Sequence, residues 1–324
     1  MAETITLALA GDTMLGRSVG ERLSAGAAAD SLVAPAVAEA MRGADVTILN
    51  LECCISDRGS PWPAPGKAFF FRAPPAAIDV LRGLGVDAVT LANNHALDFG
   101  PDALLDTRNY FEAAGIAVVG AGVDEAEARM PVVLTVAGMR VGLIGFTDHP
   151  EDFAAGPTRP GVAYADLGGG APSWLLDRVR ATRAQCDVLL VTPHWGPNMV
   201  AEPLPEIRSA AAELLGAGAT LVAGHSAHVF HGVQGRVLFD LGDFLDDYAV
   251  DPRLRNDLGL LWLVTLDAGG PLRLEALPLG LDFCFTRLAN AGEFDWIERR
   301  LALACAALGG PSISREAARL VIRW

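Results

Sequence analysis

Short apolar runs rich in β-branched residues alternate along the chain with longer stretches in which apolar positions recur every three or four residues. "TITLALA" (4–10), "ADVTILN" (44–50), "VDAVTLA" (86–92), "RVGLIGF" (140–146), "CDVLLVTP" (186–193) and "ATLVAG" (219–224) have the length and continuity of buried strands. "PPAAIDVLRGLG", "PDALLDTRNYFEAAG", "PSWLLDRVRATRAQ" and "PEIRSAAAELLGAG" open at or near proline, and three of them end in glycine, as helices do. The alternation predicts an α/β architecture with helices packed on strands. Past residue 233 the rhythm changes to "RVLFDLGDF", "GLLWLVTLD" and "LRLEALPL", which predicts consecutive strands of an antiparallel or mixed second sheet. From about residue 291 the pattern predicts one or two helices. "DDYAVDPRLRND" reads as a polar loop rather than a linker, and there is no internal repeat, so one domain is expected over 1–324.

Composition agrees with a globular core: 51% of residues are apolar and only 20% charged. A net charge of −14 excludes a binder of nucleic-acid backbone, which needs clustered Lys and Arg. An anionic substrate would therefore need metal ions or a few focused arginines. No basic segment followed by a long apolar stretch opens the chain, and no uninterrupted apolar run nears the ~20 residues of a membrane span. A cytoplasmic protein without a membrane anchor is expected. Five cysteines do not suggest a disulfide framework, and Cys53 and Cys54 read as small buried hydrophobes.

Polar residues gather where the expected strands end. The first strand runs into Asp12; the second ends at Asn50, with Glu52 two further on; the third runs into Asn93, Asn94, His95 and Asp98. "CDVLLVTP" delivers His194 and Trp195, and "ATLVAG" delivers His225 and His228. Any one of these could be a cap or turn residue. Five strand ends of this kind point instead to one crevice beyond the carboxyl edge of the sheet. Carboxylates, an amide and imidazoles together suit Mn, Fe or Zn better than a closed structural zinc site. They exceed the needs of one tetrahedral ion, so two ions about 3.5–4 Å apart with a bridging hydroxide, a hydrolytic arrangement, are expected.

"AGDTMLGR" (10–17), "NLECCIS" (50–56), "FFFRAPP" (69–75), "LANNHALDFG" (91–100), "GAG" (120–122), "HWG" (194–196), "GHSAHV" (224–229) and "DLGDF" (240–244) occur in that order. This set resembles the CapA (PgsA-like) poly-gamma-glutamate capsule biosynthesis proteins, a branch of the calcineurin-like metallophosphoesterase superfamily, over about residues 4–245. The resemblance leaves the expected strands and helices at about 258–324 uncovered. It implies a four-layer α/β/β/α metallophosphoesterase-like sandwich of two mixed sheets flanked by helices, with a dinuclear metal centre. Asp12 and His228 would hold the first metal, Glu52 would bridge both, and Asn94, His194 and His225 would hold the second. His95 would act beside them on the transition state or leaving oxygen, so that His95, Asp12 and Glu52 form the catalytic set. Three departures stand out: Met14 replaces the histidine of Asp-x-His, the bridging residue is Glu52 rather than Asp, and Ser226–Ala227 replace the middle pair of Gly-His-His-Pro-His. Asp243, in "DLGDF", adds a carboxylate that either faces the metals or bonds to backbone.

Arg17, Lys67 and Arg72 flank the first three motifs and are candidate grips for an anionic substrate, with Trp195 as a wall and His231 as a cleft residue. His149 and His231 fall outside the ligand pattern. The expected function is metal-dependent hydrolysis of a small phosphorylated or carboxylate-rich substrate, with His95 assisting the leaving group. Two alternatives stay open: action on gamma-glutamyl amides in polymer synthesis or remodelling, and a non-catalytic metal-binding scaffold. Capsule members of the family usually carry an amino-terminal anchor; none is visible in this sequence, so a soluble enzyme is expected.

Overall fold

In the computed structural model, which describes residues 3–324, the apolar strands sort into two facing sheets. The first has ten strands built around Ile5–Thr13, which runs parallel to Val46–Leu51 and antiparallel to Leu258–Asp267. Ala88–Thr90 and Ala117–Val119 extend it on one side, and Gly270–Asp282, Arg319–Arg323 and Ser314–Glu316 on the other. The second sheet has six strands, in the order Val233–Gln234, Val237–Leu238, Leu221–Ala223, Val188–His194, Met139–Thr147 and Val132–Val136.

Side-chain alternation along each strand sets the layers. Leu7 and Leu9 point into the core between the sheets, where they join Val141, Leu143, Leu190 and Trp262. Ala8 and Ala10 point the other way, onto the core shared with Val37, Leu81, Leu104 and Phe111. Those four belong to the helices Pro35–Arg42, Ala77–Leu84 and Gly100–Ala114. On the second sheet Ile144, Phe146, Leu189 and Val191 meet Leu175, Val179, Ala210 and Leu214 from Ser173–Arg183 and Pro205–Ala217. The result is the expected four-layer α/β/β/α sandwich of two mixed sheets. Both faces of each sheet are covered, which is why the strands read as continuous apolar runs.

The structure corrects two expectations. The six early strands divide between the sheets, three to each, and the long strands Leu258–Asp267 and Gly270–Asp282 complete the first sheet instead of building the second. Apolar content sets burial but not which sheet a strand joins. The tail contains one helix, Ala291–Ala307, with a capping box between Asn290 and Glu293, and then a β-hairpin of Ser314–Glu316 and Arg319–Arg323. The hairpin's alternation of polar and apolar residues is too short to separate from a helix turn by pattern alone. Among the described residues, no helix is long and apolar enough to cross a membrane.

Candidate metal centre

The strand ends of both sheets meet. Asp12 lies near the end of Ile5–Thr13, Glu52 just beyond Val46–Leu51, and His194 is the last residue of Val188–His194. His225 and His228 follow Leu221–Ala223. Two sets of ligand atoms each gather within 4.8 Å: Asp12 with His194 and His225, and Asp12 with Glu52 and His228. Asp12 belongs to both sets and Glu52 to one. Asp12 Oδ1 lies 3.7 Å from His225 Nδ1 and 3.9 Å from His194 Nδ1, while Asp12 Oδ2 lies 3.6 Å from His228 Nδ1. Glu52 Oε2 is 3.9 Å from the same His228 nitrogen.

A buried hydrogen-bond chain fixes these side chains. Asn50 Nδ2 donates to Asp12 Oδ1 (2.7 Å), Asn93 Nδ2 donates to Asn50 Oδ1 (2.9 Å), and the His95 amide donates to Asn93 Oδ1 (3.1 Å). Asp240 accepts the amides of Ala227 and Gly242, each at 2.8 Å, and so shapes the loop that presents His225 and His228. That loop needs unusual backbone, with φ of 126° at Ser226 and 59° at His228. Gly224 before it is fixed by close approach: a Cβ there would sit 2.3 Å from Trp195 Nε1. Asn50 and Asn93 stand at the strand ends that the sequence directs to one crevice, and Asp240 in the last motif, but their part as hydrogen-bonded supports shows only in the structure.

Beside the ligand sets, His95 Nδ1 lies 2.5 Å from Asp98 Oδ2, which also accepts the Phe71 amide at 2.6 Å. Lys67 Nζ lies 2.8 Å from Asp98 Oδ1 and donates to the Asn94 carbonyl at 2.7 Å. His95 Nε2 faces Glu52 Oε1 at 3.9 Å. Tyr248, which the sequence did not single out, directs its hydroxyl to Glu52 Oε2 at 3.4 Å.

Burial dominates the electrostatics. It raises the carboxyl of Asp12 above its ordinary value and those of Asp243 and Glu52 well above theirs, at Glu52 with help from the charge of Asp12. It pushes His225 down to about 3 and His95 down to about 4, and holds His194 well below 6.5, with His225 adding to the effect. Burial opposes charge on His228 too, but Asp243, Glu52 and Asp12 outweigh it and hold this imidazole well above 6.5. The site is thus a buried surplus of carboxylate with neutral imidazoles and one cationic ring. Glu52 Oε1, Asn94 Oδ1 and His194 Nε2 are buried without a hydrogen-bond partner among the described residues. Unpaired buried acceptors around a carboxylate surplus are costly unless a cation satisfies them, so the donor set fits divalent metal.

The other expected residues are distributed around this centre. Arg17 lines a cavity of about 300 Å³ together with His95 and His228. Lys67 is committed to Asp98 and the Asn94 carbonyl. Arg72 stacks 4.2 Å from the Phe99 ring centroid and donates to the Arg58 carbonyl. Trp195 is 3% exposed in the outer core of the second sheet and donates to the Phe239 carbonyl. His231 is buried and bonds the Val200 carbonyl. His149 pairs with Asp148, its ring 5.3 Å from that of His194. Asp243 lies 2.8 Å from His228 Nδ1, so it faces the centre. All five cysteines are buried free thiols.

The ordered motifs that carry this geometry match the family model for bacterial capsule synthesis protein PGA_cap over residues 6–248. The chain belongs to this family. A probable polyglutamine synthesis accessory protein of Mycobacterium tuberculosis is 31% identical over 79% of the chain and 71% of its own length. The PGA biosynthesis protein CapA of Bacillus subtilis is 28% identical over 76% of the chain and 64% of its own length. The solved structures similar to this PGA_cap member include a 5'-nucleotidase precursor from Thermus thermophilus, with TM-score 0.43, 16% identity and coverage of 95% and 59%. A putative 5'-nucleotidase from Staphylococcus aureus matches with TM-score 0.48, 14% identity and coverage of 92% and 58%.

Proposed function

We propose that the chain is a metal-dependent hydrolase that uses two divalent ions (Mn, Fe or Zn) to cleave a phosphoester in a small anionic substrate. The observation that carries this reading is the sharing of Asp12 between two buried ligand sets, beside the unpaired acceptors of Glu52 and Asn94. Asp12, Glu52, Asn94, His194, His225 and His228 would hold the ions, which when bound supply Lewis acidity and an activated water. The protein's own part is positioning and proton transfer. Asp98 keeps a proton on His95 Nδ1, so Nε2 is the nitrogen left to exchange a proton with substrate. The negative charge that develops on the leaving oxygen favours a proton there, which that nitrogen is placed to supply.

Membership of the PGA_cap family favours a second reading, in which the same centre acts on gamma-glutamyl amides during capsule polymer synthesis or remodelling. A panel of phosphomonoesters, phosphodiesters and gamma-glutamyl peptides, run with metal and with chelator, separates the two. Metal-dependent turnover of esters supports the first; turnover of the peptides alone replaces it with the second. His95→Ala is expected to lower turnover by about 10²–10⁴-fold while metal content stays unchanged. Loss of metal together with activity would instead place His95 among the ligands.

A further inference from the structure

The cavity beside His95 and His228 presents mainly apolar surface, although Arg17, Asn198 and Asn256 also line it. Phe71 stacks on His95 (centroids 4.0 Å apart, 29° between planes) and lies 5.7 Å from Tyr248. Phe69 stands outside it, roughly parallel to Phe71 (22°) and 58% exposed. Met199 also lines the cavity, 37% exposed, on a backbone at φ 57° tied to the Ala227 carbonyl. Large apolar side chains left open at the mouth of a polar centre mark a surface that something else covers.

Charge narrows what that is. Apart from the His228 imidazole at the centre itself, the cation among the lining residues is Arg17, its guanidinium 5.6 Å from the Phe69 centroid and 5.7 Å from that of Phe71. It is already paired through Nε with Asp247 at 3.2 Å, and Asp243 and Asp246 are buried nearby in sequence and space. A chain carrying a carboxylate on every residue would meet one shared arginine in a protein of net charge −14. A flat ring suits the same walls: it can stack on Phe69, contact the Met199 thioether, and leave its anionic end to the centre and the outer nitrogens of Arg17.

We propose, resting on the hydrolytic reading above, that this cleft selects substrates in which the reacting anionic group is carried on a flat aromatic moiety, and that it disfavours polyanionic chains. Two non-hydrolysable probes of equal head-group charge test it: 1-naphthylphosphonate and n-butylphosphonate, titrated calorimetrically into metal-loaded protein, with tri-gamma-glutamate as the polyanion. The naphthyl probe is expected to bind about tenfold tighter than the butyl probe. Phe69→Ala, at an exposed position whose loss leaves the core intact, should bring the two within about twofold, and Met199→Ala should shift them the same way. Equal affinities, binding of neither phosphonate, a preference unchanged in Phe69→Ala, or tightest binding of tri-gamma-glutamate would overturn the proposal. Aromatic preference without hydrolysis of any ester would remove the hydrolase reading and leave the cleft; ester hydrolysis without the preference would do the reverse.

Discussion

At Asp98 three donors converge: His95 Nδ1 and the Phe71 amide on one oxygen, Lys67 Nζ beside the other. Lys67 thereby balances a fully buried carboxylate and, through the Asn94 carbonyl, ties down the loop that carries a candidate ligand. Lys67→Met keeps the stem and removes the cation. It should cost about 1–3 kcal/mol in chemical denaturation, because the buried Asp98 side chain loses its ionic partner. The same change should move the alkaline limb of the pH–rate profile upward, since the ammonium disfavours the proton that His95 is to donate. An unmoved profile would show that Lys67 serves folding alone. At this scale the sequence pointed to chemically distinctive residues at strand ends, and of these the structure gathers Asp12, Glu52, His194, His225 and His228 into two sets. The sequence placed Asn50 and Asn93 at the same strand ends without showing that they hold Asp12 and the His95 loop in place, and it gave no sign of Tyr248, which lies in a polar loop far along the chain.

Single elements show how little freedom the strand ends have. Gly11 precedes Asp12 where Ile5–Thr13 passes Asp243–Leu245, and a Cβ at Gly11 would fall 1.7 Å from the Gly242 carbonyl oxygen. Gly11→Ala should therefore force these strands apart, with a loss of at least about 3 kcal/mol in denaturation and of metal uptake with it. Retention of both would mean that the strand shifts freely there. Apolar runs such as "TITLALA" and "CDVLLVTP" were legible as buried strands because both faces are covered. Their sorting into two sheets was not, since the pairing of Ile5–Thr13 with Leu258–Asp267 joins segments some 250 residues apart, far outside any local periodicity. The closing hairpin hid for a different reason: only Leu320, Val321 and Ile322 in it are buried.

Across the whole molecule a net charge of −14 and a buried carboxylate surplus at one place act together to draw in cations and to repel polyanions. The charges at the centre also fix how metal uptake depends on pH. Without metal, burial favours a proton on Glu52, and at His228 carboxylate charge, that of Asp243 foremost, outweighs burial and favours one there too. Each proton must leave before its site can ligate, so protons compete with metal and affinity falls as pH falls. From about pH 8 to about pH 6 the metal concentration for half occupancy should rise by about tenfold per unit for each proton displaced. A flat dependence would mean that these groups do not ligate. The most direct test of the central claim is metal content per chain by elemental analysis, after incubation with manganese and desalting, for the wild type and for Asp12→Asn. Because Asp12 belongs to both ligand sets, the account predicts about two ions in the wild type and loss from both positions in the variant. No retained metal in the wild type, or the same content in Asp12→Asn, would contradict it.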